Sequence, residues 1–265
     1  MFWKEDEEIR MITERYHFET IDSTNKKARE LATGGCPHGT LVSADAQEAG
    51  IGRRGRSWAS QKEAGIYMSL VLRPEIEADK AHMLTLAAAM AVQKAICEIY
   101  GESCRLEAKP RIKWPNDIVI NKKKICGILT EMGLKGTEID FVIVGIGINV
   151  NNKVFPDEIR ETASSLLIEL GRDIDREMLI TEVWKHFGVY YRKFLETTDV
   201  SLFQEEYEEA LVNKEEKVKV LDPLGEYIGI AKGITNTGEL IVDTEGQLRY
   251  VSGGEVSVRG IYGYV

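Results

Sequence analysis

A mixed α/β (α+β) fold, with a mostly antiparallel sheet flanked by helices and a small β-barrel after it, is what this sequence predicts. Three observations carry that expectation. From Arg111 to Val150 the chain reads as consecutive strands broken by turn formers at Pro115-Asn116-Asp117, at Asn121 to Lys124 and from Gly133 to Gly136. Leu84, Ala88, Ala91, Ala95 and Ile99, and later Ile180, Val183, Trp184, Phe187, Tyr191 and Phe194, recur at helical spacing. After Asn213 the pattern changes to short strands at about Lys217–Leu221, Glu226–Gly233, Leu240–Asp243, Arg249–Val251 and Val256–Arg259, separated by Asp222-Pro223, Asn236-Thr237-Gly238 and Glu245-Gly246.

The remaining elements follow in order. Asp22-Ser23-Thr24-Asn25 supplies N-cap residues for a helix through Lys26 to Leu31. Thr40 to Ala44 reads as a strand, and Ile66, Met68, Leu70 and Leu72 place apolar side chains on one face of another. Between them a segment rich in glycine and arginine, to about Ser60, fits neither period and reads as a long functional loop. Its three arginines repel one another and it offers no apolar anchor, so mobility without ligand is expected. A helix ends near Leu211, which predicts one domain over 1–211 and a second over 212–265.

Composition narrows the classes. With 265 residues, 43% of them hydrophobic, the chain can bury a large core and a small one. The apolar runs at Leu84 to Val92 and Phe141 to Val150 are too short for a bilayer, and the acidic start from Met1 to Glu8 lacks the features of a secretory signal, so the expectation is a cytoplasmic chain with no membrane partner. Cys36, Cys97, Cys104 and Cys126 show no paired spacing, which leaves ordinary reduced thiols and no legible metal ligand set. A net charge of -9 argues against a nonspecific grip on nucleic acid. Clustered arginines therefore ask for a local reason.

Gly50-Ile51-Gly52-Arg53-Arg54-Gly55 matches G-x-G-x-x-G, yet it leads through Arg56-Ser57-Trp58 into a strand instead of opening a helix, which weakens the dinucleotide reading. No Gly-Lys-Ser/Thr follows, which excludes a Walker A loop. A glycine loop presenting Arg53, Arg54 and Arg56 suits a polyphosphate; the competing reading is a solvated basic turn. Lys113-Trp114-Pro115-Asn116-Asp117 gathers a cation, an aromatic and two polar side chains at a corner, and taken alone it also fits a turn with a buried tryptophan. Lys124 precedes Ile125-Cys126-Gly127, where glycine permits close approach to a ligand, although a lysine at a strand start is commonly solvated. Gly145-Ile146-Gly147-Ile148-Asn149 closes an apolar strand on a side-chain amide, which an amide-capped turn would also explain.

Ser23-Thr24-Asn25, Gln47 with the Gly50-to-Arg56 loop and Trp58, the Lys113-to-Asp117 segment, Lys124-Ile125-Cys126-Gly127-Ile128-Leu129, Gly147-Ile148-Asn149 and Gly253-Gly254-Glu255-Val256-Ser257 together resemble, in this order, the biotin protein ligases. The resemblance spans nearly the whole chain. It implies a catalytic domain similar to class II aminoacyl-tRNA synthetases and a terminal barrel of the Src-homology-3 type. It also implies that Ser23, Thr24, Asn25, Gln47, Ile51, Gly52, Arg53, Lys124 and Gly127 surround biotin, and that Arg53, Arg54, Arg56, Trp58, Lys113 and Asn149 serve ATP and the adenylate. Arg53, Lys124 and Asp117 are the expected catalytic residues. Two departures stand out: Ile51, where the family often has arginine, and Cys126, which replaces a common alanine and is expected to reshape the pocket slightly or expose a thiol to oxidation. About twenty residues precede Ser23, so no helix-turn-helix and no DNA partner are expected.

The implied reaction joins biotin to AMP from ATP with Mg²⁺, then passes biotin to a lysine of a biotin carboxyl carrier protein; a homodimer is left open. Two anions meet in the first step, which calls for the cations Arg53, Arg54, Arg56 and Lys124. An amine of pKa about 10.4 attacks in the second, which calls for a base, and Asp117 is the candidate. The rivals are a lipoate-type ligase of the same superfamily and a noncatalytic biotin sensor. The arginine loop and barrel speak against the first, and the joint presence of Lys124, Arg53 and Asp117 against the second.

Overall fold

The structure is a computed structural model that describes residues 11–101, 109–223, 225–253, 256–260 and 264–265; Met1 to Glu8, Cys104, Gly254 and Glu255 lie outside the described residues. Its larger sheet contains β1 (Glu14–Ile21), β2 (Thr40–Gln47), β3 (Gly65–Leu72), β4 (Arg111–Lys113), β5 (Asp117–Ile120), β6 (Lys123–Lys135) and β7 (Glu138–Asn149), in the order β1-β2-β3-β7-β6-β5-β4. Only β1 and β2 pair in parallel, joined by α1 (Thr24–Thr33); the other neighbours are antiparallel.

One strand has no counterpart in the sequence reading, and two readings need correction. Strand β1 carried no sequence signal, because as an edge strand it exposes Glu14 to His17 and shows no buried alternation. The break expected from Gly133 is a bulge between Gly133 and Leu134, and β6 runs on to Lys135 before the turn at Gly136. Strand β3 is buried along its whole length, on both faces. Ile66, Met68, Leu70 and Leu72 join the core with α2 (Leu84–Tyr100) and α4 (Arg176–Thr197), while Val71 meets Ala28 and Ala32 of α1 on the opposite face.

Helix α2 is buried well beyond its predicted stripe: Leu86, Ala87, Ala89, Met90, Val92 and Ile96 are also enclosed. The cause is its central position, against β4, β5 and β6, against α4 and against α5 (Gln204–Ala210). The aromatic stripe of α4 packs as expected, and Phe187 sits edge-on to Trp184 and stacked on Tyr191. Asp175 caps this helix by accepting from Glu177 N and Met178 N at 2.9 and 3.1 Å, so α4 begins one turn earlier than its apolar pattern.

A short helix α3 (Leu166–Leu170) follows β7. The second sheet holds β8 (Lys217–Leu221), β9 (Tyr227–Ile234), β10 (Leu240–Thr244), β11 (Gln247–Val251) and β12 (Ser257–Gly260), antiparallel in the order β11-β10-β9-β8-β12. β11 and β12 do not pair with each other among the described residues. Its inward residues Val218, Val220, Ala231, Leu240 and Val242 share one continuous core with the larger sheet. Trp114 Nε1 donates to Gly238 O at 3.0 Å and Trp114 N to Asn213 Oδ1 at 3.1 Å, so the corner before Asp117 is fastened to the second sheet. Among the described residues no helix is long and apolar enough to cross a membrane.

Candidate functional site

The site lies where the start of α1, the loop after β2 and the β4–β5 corner meet over the middle of the large sheet. Ser23, Thr24 and Asn25 are buried; Ser23 precedes α1 without a side-chain cap bond, and the polar groups of Thr24 and Asn25 are tied to named partners. Thr24 donates to Gln47 Oε1 from its backbone N–H (2.8 Å) and its hydroxyl (3.1 Å). Ser69 Oγ, on the α1 side of β3, lies 2.6 Å from Asn25 Oδ1 and 2.8 Å from Thr24 Oγ1. Asn25 Nδ2 donates to Glu131 Oε2 at 2.7 Å. Hydroxyls and amides in this number, held by one another in an apolar sheet, form a preorganised polar cradle.

Glycines make the floor. A Cβ on Gly145 would lie 1.9 Å from Asn25 Oδ1, and one on Gly127 or on Gly147 would come within 2.8 Å of the Trp58 ring. The indole therefore rests directly on sheet backbone. This corrects the expectation that the arginine loop lacks an apolar anchor. The loop is also a hairpin: Ile51 bridges Ser57, Gly52 N donates to Arg56 O at 2.7 Å and Trp58 N to Gly50 O at 2.9 Å, with Arg54 at φ 60° at its tip. Arg53 turns inward, donating from Nη1 to Asn116 Oδ1 at 2.8 Å and from Nη2 to the Gly253 carbonyl. Burial lowers its pKa from the ordinary arginine value, against the pull of Asp117.

Lys124 reaches Asp117, with Nζ 2.7 Å from Oδ1, and its ammonium lies 5.3 Å from the centre of a Trp58 ring. Its backbone is clamped by Lys124 N to Thr162 O at 2.7 Å and Ser164 N to Lys124 O at 3.0 Å. Burial by itself would raise the Asp117 carboxyl; the charges of Lys124 and Lys113 and the Tyr264 hydroxyl outweigh it and hold the group below the usual carboxylate range. Lys113 is 5% exposed, and burial pushes its ammonium down to about 8, with Asp117 opposing that shift and Lys124, Arg259 and Arg56 adding to it. Burial pushes the Tyr264 phenol up, and Asp117 adds to this, so it remains a donor.

Two cavities result, sharing Gly52, Arg53, Trp58, Asn116 and Lys124. The narrow one is lined by all nine residues expected around biotin: Ser23, Thr24, Asn25, Gln47, Ile51, Gly52, Arg53, Lys124 and Gly127. The larger, about 940 Å³, is lined by Arg53, Arg54, Arg56, Trp58, Lys113 and Asn149, the residues expected around the nucleotide, and by Asp117. Among the described residues an acidic chain thus collects six cations, with Lys124 and Arg259 included, on a cavity lining whose acids are Asp117 and exposed Glu158. Such a wall attracts polyphosphate.

Cys126 is corrected. It is fully buried in the core, where burial raises its thiol pKa, so it neither shapes the pocket nor offers a thiol to oxidants. Ile51 lines the narrow cavity and is 42% exposed. Cys36, Cys97 and Cys126 are free thiols.

Sequence reasoning assigned no role to Ser69, Glu131, Asn152, Arg259 or Tyr264. Asn152 is buried, lines the larger cavity and leaves Oδ1 without a partner; the nearby Asn149 was the only available signal. One His/carboxylate group within metal-binding reach, Glu98, Glu182 and His186, occurs among the described residues, and none of the three lines either cavity.

Comparison with known proteins gives a consistent result. The model of the biotin/lipoate A/B protein ligase family matches residues 17–149, and that of the biotin protein ligase C terminal domain matches 215–259. The bifunctional ligase/repressor BirA of Bacillus subtilis is 40% identical over 248 residues, 92% of this chain and 73% of that protein. The biotin--[acetyl-CoA-carboxylase] ligase of Paracoccus denitrificans is 31% identical, covering 90% of this chain and 98% of its own. The Aquifex aeolicus biotin protein ligase in complex with biotin and ATP superposes with a TM-score of 0.80 at 31% identity, covering 94% of this chain and all of the other.

Proposed function

Because this chain belongs to the biotin/lipoate A/B protein ligase family, we propose that its two joined cavities carry out the two half-reactions of a biotin protein ligase. The protein is an ATP-dependent ligase that converts biotin and ATP to biotinyl-AMP and pyrophosphate and transfers biotin to a carrier lysine. The observation that carries the residue assignments is the juncture at Lys124, which alone among the described lysines lines both cavities. A match to the biotin ligase C terminal domain over 215–259 favours biotin over a lipoate-type substrate.

In this reading the cradle of Ser23, Thr24, Asn25 and Gln47 faces the ureido ring, whose carbonyl accepts and whose two N–H groups donate. The carboxylate points to Lys124. Arg53, Arg54, Arg56, Lys113 and Arg259 neutralise the triphosphate, and Asn149, Asn152 and Trp58 hold the base. Among the described residues the larger cavity has no cage of free carboxylates, since Asp117 is ion-paired and Glu158 is exposed, so this donor set would suit a Mg²⁺ brought in on ATP rather than one held by the protein alone. In the second step the carrier amine attacks the acyl carbon, the bond to the phosphate oxygen breaks, AMP leaves with the electron pair and the amine proton passes to Asp117. We assign residues 1–211 to the catalytic domain and 212–265 to the smaller one, with the Gly253 carbonyl reaching Arg53.

The direct test is incubation with MgATP and radiolabelled biotin or lipoate in the presence of a biotin carboxyl carrier domain. Biotin label on the carrier lysine is expected; label from lipoate alone would refute the reading.

Two narrower outcomes follow. Gly145→Ala drives a methyl into Asn25 Oδ1, so the KM for biotin should rise roughly tenfold or more while the KM for ATP stays within about twofold; equal changes in both would place Gly145 elsewhere. With Lys113 at about 8, protonation supports phosphate binding below that value and is lost above it. ATP affinity should therefore weaken between pH 7 and 9 in the parent and stay flat in Lys113→Met, as read by calorimetry. A parallel decline in both would remove Lys113 from the nucleotide site.

A further inference from the structure

Asp117 has both oxygens engaged. Oδ1 lies 2.7 Å from Lys124 Nζ, and Oδ2 accepts the hydroxyl of Tyr264. The same tyrosine ring sits under Lys113, whose Nζ is 3.9 Å from its centroid. Tyr264 belongs to neither sheet; it follows β12 and makes no strand pairing, yet it lines the larger cavity beside Arg259. A phenol from beyond the second sheet thus covers the carboxylate of the catalytic corner.

The cover changes what the cavity can receive. With Tyr264 in place, Asp117 is hydrogen-bonded and ion-paired, and Arg53, Arg54, Arg56, Lys113, Lys124 and Arg259 dominate the wall. That surface accepts a polyphosphate and repels an ammonium. Moving the phenol away exposes Oδ2 and puts a negative charge where an acceptor amine has to arrive.

We propose that Tyr264 is a gating residue that sets transfer specificity: it covers Asp117 while the adenylate forms, and a docked acceptor lysine has to displace its hydroxyl before acyl transfer. This rests on reading Asp117 as the group that takes the acceptor's proton. Tyr264 exchanges no proton in the step. A small amine in solution brings no docked surface to shift the phenol, so it meets a covered base and reacts slowly with bound adenylate.

The test uses the full chain loaded with biotin and MgATP and freed of excess nucleotide. Consumption of bound biotinyl-adenylate by Nα-acetyllysine, a small amine with the acceptor's chemistry, is followed in single turnover beside transfer to the carrier. Tyr264→Phe keeps the ring over Lys113 and removes only the hydroxyl. It should raise the rate with Nα-acetyllysine roughly tenfold, the scale of one hydrogen bond to a charged group. The KM for biotin should stay at the parental value, because Tyr264 does not line the narrow cavity. The gain should vanish in Tyr264→Phe/Asp117→Asn. Tyr264→Ala should leak at least as much. A rate equal to or below the parent's in Tyr264→Phe, or a gain that survives loss of Asp117, would overturn the proposal. Failure of the underlying reading looks different: Asp117→Asn alone would then transfer to the carrier at the parental rate.

Discussion

Replacing Lys124 with alanine is expected to lower adenylate formation by roughly two to three orders of magnitude, the scale seen when a preorganised charge-stabilising donor is removed. The geometry explains the size. Nζ is held by Asp117 at 2.7 Å, its backbone is pinned to the 162–164 segment on both sides, and the side chain lines both cavities. On the proposed reading the ammonium is already placed where carboxylate and α-phosphate would converge, so its repositioning would cost little during reaction. Its removal also takes the ion-pair partner of Asp117 away and leaves Lys113, Arg53 and Tyr264 around it, so part of the loss is the charge of a buried, less compensated carboxylate. Burst measurement of adenylate in Lys124→Ala and Lys124→Arg checks this. Arginine should restore part of the rate, whereas a burst of parental size in Lys124→Ala would remove Lys124 from the chemistry.

Arg53→Gly should act differently, on retention more than on formation. Arg53 joins the arginine hairpin to Asn116 and to the Gly253 carbonyl, so it fastens the loop to the β4–β5 corner and to the segment after β11 at the seam of the two cavities. Loss of one charge-assisted hydrogen bond is worth roughly 1.5–3 kcal/mol, or about 10- to 150-fold in adenylate release. A mixed anhydride set free acylates whatever lysine it meets, so label should spread to bystander proteins. Adenylate release and bystander labelling, measured beside Lys124→Ala, separate the two roles. Tight retention and carrier-only labelling in Arg53→Gly would contradict the assignment.

Much of this arrangement was legible from local pattern. The barrel-like strands from β8 to β12 fall within a few residues of their predicted limits, because turn residues punctuate them. The aromatic face of α4 needed only its spacing. Residues expected at biotin and nucleotide lie in the two cavities because the motifs that carry the resemblance, at the start of α1, in the loop after β2, at the β4–β5 corner and in the first half of β6, converge over the sheet. Failures came where long-range contacts decide. β1 is a polar edge strand, recognisable only by its partner β2. Trp58 anchors its loop on Gly127 and Gly147, far along the sequence. Tyr264 meets Asp117 across 147 positions and Arg53 meets Gly253 across 200, and no local period encodes either contact. Cys126 points into the core because alternation along β6 sends its neighbour Gly127 to the pocket.

The account stands on one coupled event at Lys124, the capture of biotin as an adenylate that stays bound until a carrier arrives. Isotope exchange between pyrophosphate and ATP measures it. The account predicts exchange that requires biotin, with about one equivalent of bound biotinyl-AMP per chain by the logic of a single closed site, consumed when the carrier domain is added. Exchange without biotin, or biotin bound with no exchange, would contradict it.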